Sequence, residues 1–366
     1  MLIKNFAQIL NNKIWTNELN SCSYVSTENM LTNFGGVCES SNVPKGKCTE
    51  FHTEDILISN IRPYFKKFWF AKFNGGCSND VLAIRPNNQC ISRYLYYALC
   101  SNKFVDLYVA SCKGTKMPRG NKEVLLNYNL ELPSLSEQQH IVDTIGTVDD
   151  LIEKYQEIDA EIMKLLSMKF ESIRHKNNCV RLEDFAFYQE GPGIRNWQYV
   201  DSDGVKFINI RCINDNDMQL EDANMISKED AYGIYKHFMV QEDDILVSTS
   251  GTLGRLAIAR KEHLPLCMNT SVIRFRPLIK KNYPYLFCFL MSDEFKNLII
   301  SMANGSAQLN FGPTHIKKIN LFLPNENELN DFNNFSQPLI NKHKILLSNI
   351  DKLKRIKTLL LDKYFS

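Results

Sequence analysis

The feature that most constrains this 366-residue chain is that it repeats itself. Asn5-Phe6-Ala7 returns as Asp184-Phe185-Ala186, and Tyr24–Asn29 runs parallel to Phe207–Cys212. Glu54–Ser59 matches Asp243–Ser248, Val81–Pro86 matches Val272–Pro277, and Leu130–Pro133 matches Leu321–Pro324. Five matches in one order, spaced by about 180–191 residues, mark a tandem duplication. Each half must then build the same framework around its own core.

Within each half the pattern changes character. Short runs rich in Val, Ile, Phe and Tyr, broken by Gly, Asn, Asp and Pro, predict strands at Asp55–Ser59, Phe68–Phe73, Val81–Ile84, Phe207–Ile210, Ile245–Ser248 and Val272–Phe275. Short helices are expected at Ser92–Tyr108 and Tyr283–Met302. A long helical pattern follows each block. Ile141, Ile145, Val148, Ile152 and Tyr155 alternate steps of four and three and continue through Ile158, Ile162 and Leu165, the spacing of a seam between helices. Leu346, Ile350, Leu353, Ile356, Leu360 and Tyr364 form the second seam, with regular helix expected to begin near Pro338. At 1.5 Å per residue these helices reach roughly 50 and 40 Å. The expected fold is α+β: block 1–136, helix 137–175, block 176–325 and helix 326–366. Neither stripe can be buried by its own helix, so the two helices are expected to pack as an antiparallel coiled coil, relating the halves by a pseudo-twofold.

Charge is unevenly placed. Residues 1–136 carry a net +5, the first helix −5, the second block 0 and the second helix +2. Two basic clusters fall in loops of the first block. One is Arg62, Lys66 and Lys67, interleaved with Tyr64, Phe65, Phe68 and Trp69; the other is Lys113, Lys116, Arg119 and Lys122 around Gly114 and Gly120. Cations with glycine and aromatics suit phosphate contact, although charge runs are more often plain solvated surface. The second block offers Arg195, Lys206, Arg211, Arg255 and Arg260 without a net positive charge.

Several chemistries lack their signatures. No GxxxxGK[ST] loop, Asn-Pro-Pro-aromatic tetrapeptide or PD…(D/E)xK run occurs. The eleven cysteines contain no CxxC pair and read as reduced, mostly buried thiols rather than zinc ligands or disulfides. No apolar run nears the ~18 residues of a membrane span, and Met1–Asn5 continues into polar residues rather than an apolar leader stretch, so a cytoplasmic location is expected. Ser248–Gly254 imitates a nucleophile turn, but its simpler reading is a hairpin in which Gly251 and Gly254 take positive φ.

Four stretches resemble the specificity (S) subunit of type I restriction–modification systems: Tyr24–Met30, Asp55–Tyr64, Asp244–Gly254 and Leu132–Val142. The last, with Glu137-Gln138-Gln139 opening a long helix, is the most specific, and the likeness extends over nearly the whole chain. The second helix opening, Leu323–Glu328, lacks the Gln-Gln pair. The resemblance implies a non-catalytic DNA-specificity subunit whose two blocks are target-recognition domains, each reading half of a bipartite site. The helices would set half-site spacing and dock two methyltransferase subunits, with Gln138 and Gln139 at the docking surface. S-adenosylmethionine, ATP and magnesium would reside on partners, which include motor-nuclease subunits in some systems; this chain would bind no cofactor and no metal. Candidate DNA contacts are Arg62, Lys66, Lys67, Lys116 and Arg119 in the first domain, and Arg195, Arg211, Thr249, Ser250, Thr252 and Arg255 in the second. The alternatives are a recognition subunit of a related or orphan methyltransferase system, a coiled-coil interaction protein without a DNA role, and a serine hydrolase using Ser248 or Ser250.

Overall fold

A computed structural model describes residues 1–114, 116–173, 178–214, 216–303 and 310–366. The chain forms two compact units, Met1–Glu153 with Lys352–Ser366, and Lys154–Asp351. The expected boundary at 175/176 lies outside the described residues.

Each unit is built on the same four-stranded antiparallel sheet. In the first the order is Ala7–Ile9, Val81–Pro86, Ile56–Ser59, Phe68–Phe70; in the second it is Ala186–Glu190, Val272–Pro277, Ile245–Ser248, Leu256–Ile258. The register repeats too, with Ala7 opposite Pro86 and Ala186 opposite Pro277. The central strands open on apolar runs, Ile56–Ile58, Val81–Ile84, Ile245–Val247 and Val272-Ile273, because both faces are covered. Ile56, Ile58, Leu82 and Ile84 face a helical layer, whereas Leu57, Trp69, Val81 and Ala83 face a second, smaller sheet. In the second unit Ile245, Val247, Ile273 and Phe275 form the helical face and Leu246, Ala257 and Val272 the other. A continuous apolar run is the signature of a strand buried on both sides.

One ionic device is duplicated with the sheet. Asp55 is buried and accepts two hydrogen bonds from Arg85, at 2.6 and 2.7 Å, while His52 N–H donates to it at 2.7 Å. Asp244 is likewise buried, bound by Arg276 and by Gln241 N–H at 2.8 Å. Each buried carboxylate therefore has both a guanidinium and a backbone donor, the condition under which such a charge is tolerated.

The helical layers also correspond. The expected helices at 92–108 and 283–302 are each two helices, Ser92–Cys100 with Asn102–Ala110, and Tyr283–Met291 with Asp293–Ala303. The break falls at Ser101 and Ser292. Each hydroxyl donates backwards, to Ala98 O and Phe289 O at 2.7 Å, and accepts from Phe104 N or Phe295 N. A serine bonding its own backbone in this way caps a new helix rather than continuing the old one.

The small sheets diverge. Both keep a parallel pair, Tyr24–Val25 with Gly76–Cys77 and Lys206–Ile208 with Leu266–Met268. In the first unit the antiparallel neighbour joins the later strand of that pair; in the second it joins the earlier one. Seven cysteines are buried, and burial pushes Cys77, Cys90, Cys100 and Cys267 up to about 12.

The long helices run Leu135–Ile173 and Glu326–Phe365, and both open with a capping box: Ser134 with Glu137, and Asn325 with Glu328. In the first unit Val142 and Ile145 share a core with Leu361 and Phe365, and Lys357 pairs with Asp149 at 2.7 Å. In the second unit Ile162, Leu166 and Phe170 share one with Phe332, Ile340 and Leu346, and His343 Nδ1 lies 2.6 Å from Asp159. Early residues of one helix meet late residues of the other in both units, so the packing is antiparallel. The second helix begins before the expected start near Pro338 and passes through it. Phe332, Asn333 and Ser336 before the proline and Ile340 after it are all buried, and that packing outweighs the single N–H that proline lacks. Among the described residues no helix is long and apolar enough to cross a membrane.

Candidate nucleic-acid interface

At one end of the framework sheet of the first unit, four loops are tied together through their backbones. Asn60 N–H donates to Asp80 O at 2.8 Å, Arg62 N–H to Pro118 O at 2.8 Å, and Gly120 N–H to Asn60 O at 2.9 Å. Asn33 and Phe34 N–H donate to Phe65 O and Lys66 O at 2.9 and 2.8 Å. Tyr108 OH fixes the Asn60 side chain at 2.9 Å, and a Cβ on Gly120 would meet that hydroxyl at 2.2 Å. The two basic clusters, separated by 46 positions between Lys67 and Lys113, thus form one surface.

The candidate contacts differ in availability there. Arg62 and Lys116 are exposed and Lys66 is half-buried. Arg119 is exposed and pairs with Asp80 at 3.0 Å, a link that solvent weakens. Lys67 is already engaged: its Nζ donates to Thr27 O at 2.6 Å, and burial holds its ammonium below the usual lysine range. Tyr64 and Phe65 stand at the tip, 47% and 37% exposed, their ring centroids 4.7 Å apart.

The second unit gathers the corresponding loops. Thr249 N–H donates to Ser271 O and Phe311 N–H to Thr249 O, both at 2.9 Å; Ile210 N–H donates to Ser271 Oγ at 3.2 Å. Thr270 N–H donates to Pro192 O at 3.2 Å, bringing in the segment that carries Arg195. Arg195, Arg211 and Thr252 are exposed, and Ser250 and Arg255 half-buried. Thr249 is fully buried, its hydroxyl donating to Thr270 O at 3.2 Å, so it shapes the loop from within. Trp197, absent from the sequence-based candidates, is 81% exposed on a segment held by Gln198, whose amide accepts from Arg195 N–H at 2.8 Å and donates to Tyr235 OH at 3.0 Å. Its proximity to Arg195 was the available signal.

The turns of the two units share two left-handed positions but neither length nor composition. Ser59 N–H donates to Lys67 O, and Ser248 N–H to Arg255 O. Three residues after each serine and one before each partner, the backbone is left-handed. In the second unit those positions are Gly251 (φ 65°) and Gly254 (φ 76°), as expected; in the first they are Arg62 (φ 48°) and Lys66 (φ 51°). Left-handed backbone costs a residue with a Cβ roughly 1–2 kcal/mol. The nucleophile reading has no support in this turn, since the buried Ser248 hydroxyl donates to Thr252 O at 2.7 Å and accepts from Arg255 N–H at 2.9 Å.

At the first helix opening the two glutamines part company. Gln138 is fully buried; its amide donates to Gln89 O and Pro133 O at 3.0 and 2.9 Å and accepts from Ile91 N–H at 2.8 Å. Its side chain is spent inside the unit and does not reach a docking surface. Gln139 is exposed and donates to Asp143 at 2.7 Å.

Comparison with known proteins agrees with this architecture. The model of the "Type I restriction modification DNA specificity domain" matches twice, over residues 3–164 and 175–358. The type I restriction enzyme EcoDI specificity subunit of Escherichia coli is 33% identical over 108 residues, 29% of this chain and 24% of that protein. The EcoBI specificity subunit of the same organism is 28% identical over 329 residues, 78% of this chain and 65% of that one. These matches thus span between about a quarter and two thirds of the curated relatives' length. The crystal structure of the type I restriction–modification S subunit from M. genitalium shares the fold, with a TM-score of 0.57 at 14% identity, covering all of this chain and 95% of that one. Duplicated framework, paired long helices and a twofold domain match agree: the chain belongs to the type I restriction modification DNA specificity domain family.

Proposed function

We propose that this chain is the non-catalytic specificity subunit of a type I restriction–modification system, acting in the cytoplasm on double-stranded DNA. The observation that carries this reading is the pair of loop clusters at matching ends of two duplicated sheets, built on one backbone plan and furnished with different side chains. A repeated framework with varied loops suits two modules that read different halves of one target. The recognition blocks are 1–136 and 176–325, joined through helices 137–175 and 326–366.

In this reading Arg62, Lys66, Lys116 and Arg119 meet phosphates or base edges from the first domain. Arg195, Arg211, Ser250, Thr252 and Arg255 do so from the second, with Lys67 and Thr249 holding their loops in shape. Mixed arginine and hydroxyl contacts suit direct readout in the major groove. Two methyltransferase subunits, joined in some systems by motor-nuclease subunits, dock along the helices; Gln139 lies on that surface and Gln138 fixes the helix start. S-adenosylmethionine, ATP and magnesium belong to those partners. Flipping a target adenine requires the duplex to be held in fixed register, which is what a two-handed reader provides.

The test is single-molecule methylation sequencing of cells that express the chain with its methyltransferase, against cells lacking the chain. One bipartite, asymmetric adenine-methylated motif that appears only with the chain is the expected result. Methylation indifferent to the chain would overturn the reading.

A further inference from the structure

Arg62 and Lys66 occupy the conformations that the second unit gives to Gly251 and Gly254. Glycine at both positions would relieve strain, so the fold gains nothing from these cations there. Strain of this kind, held in place by its surroundings, points to a function for the side chains it displays. The restraint is thorough: Arg62 N–H is bound to Pro118 O, Phe65 N–H to Arg62 O at 3.0 Å, Lys66 N–H to Pro63 O at 2.8 Å, and the Phe65 and Lys66 carbonyls to Asn33 and Phe34. Between the two strained residues lies only Pro63-Tyr64-Phe65, with the proline buried and both rings turned out. Exposed Lys116 and Arg119 stand on the adjoining loop, joined through Pro118 O, and Asp80 is the acid bound there.

We propose that Tyr64, backed by Phe65, is an aromatic wedge that enters the DNA at the half-site read by the first domain, with Arg62 and Lys66 on the flanking phosphates. The inference rests on the reading of this chain as a DNA-specificity subunit and adds its mode of recognition. Four cations around the tip suit a polyanion, which favours DNA over a protein partner as its occupant. A rigid aromatic pair that is not buried in its own core is the device with which proteins unstack a base step and read its deformability. The corresponding turn of the second domain, Gly251-Thr252-Leu253-Gly254, holds no aromatic ring, so the wedge is assigned to the first domain.

The experiment uses the assembled complex with its methyltransferase subunits and a duplex carrying the methylated motif, with 2-aminopurine placed in each half-site in turn. Wild type is expected to brighten the probe in one half only. Tyr64→Ala is expected to abolish that signal and weaken specific binding by about ten-fold with an unchanged salt slope, while Tyr64→Phe retains both. Arg62→Gly is expected to lower the salt slope by about 1 while raising the melting temperature of the chain, a pairing that a structural role would not produce. Site-specific binding by wild type that is unchanged in Tyr64→Ala would overturn the wedge and leave the DNA reading intact. So would loss of methyltransferase subunits from Tyr64→Ala with DNA affinity preserved. Absence of site-specific binding by wild type would instead overturn the reading on which the wedge rests.

Discussion

His263 shows how a single side chain carries the state of its unit. Burial, and after it the Arg260 guanidinium, pushes its imidazole down to about 4. Arg260 itself is buried against Asp217, Glu262 and Asp351, and its N–H is held by His263 Nδ1 at 3.2 Å. Because the folded value lies below the ordinary one of about 6.5, the unfolded chain takes up a proton that the folded chain refuses. Stability from this group is therefore complete above about pH 6.5 and lost as pH falls towards 4. Urea unfolding at pH 7 and pH 5 should show His263→Gln losing about 1–2 kcal/mol less than wild type over that interval, with allowance for a ring that keeps some contact with solvent. An identical pH dependence in the variant would contradict this account. Such pairings were not legible beforehand: Arg260 looked like one cation among several in the second block, and only the fold brings Asp217 and Asp351 to it.

Elements were more legible than their joints. The central strands stood out as apolar runs and the long helices as stripes, because period and burial are written into neighbouring residues. The helix breaks at Ser101 and Ser292 and the passage through Pro338 depend on side chains far away in sequence, so local propensity misplaced them. The same holds for Gln138, whose motif drew attention but whose role is internal. Replacing it with alanine leaves Ile91 N–H and the Gln89 and Pro133 carbonyls without partners, which should cost about 2–4 kcal/mol of folding stability in the first unit. Gln139→Ala should change stability by less than about 0.5 kcal/mol and instead weaken capture of the methyltransferase subunit. Thermal denaturation of both variants beside a pull-down separates the roles; equal destabilisation by the two would refute the distinction.

Across the whole molecule the duplication was visible in five short matches, and the sheet, its register and the Asp–Arg device repeat where they placed it. What the matches could not reveal is the divergence of the small sheets, since those strands are short and their pairing is set by loops of unequal length. The two blocks, 1–136 and 176–325, also diverge in charge, +5 against 0. Binding by the first domain should therefore carry most of the salt dependence. The triple variant Arg62→Gln, Lys116→Gln, Arg119→Gln should lower the slope of log K against log salt by about 2, allowing for the share of Arg119 taken by Asp80. Thr252→Val in the second domain should leave that slope alone and alter one half of the methylated motif. A triple variant with the wild-type slope would show that these cations do not meet phosphate.

The first unit is assembled from residues 1–153 and 352–366. On the ribosome, its own opening residues are made first and yet have to wait. The surfaces of Tyr94, Val142 and Ile145 that Leu361 and Phe365 cover remain open until the last turns of the second helix emerge. The second unit, though encoded later, has all its residues by position 351 and needs none of that last stretch. A chain cut short anywhere before Leu361 therefore carries an unfinished first unit. Premature termination there leaves an exposed apolar face on the first unit for proteolysis to find, while the second unit still holds every residue it needs.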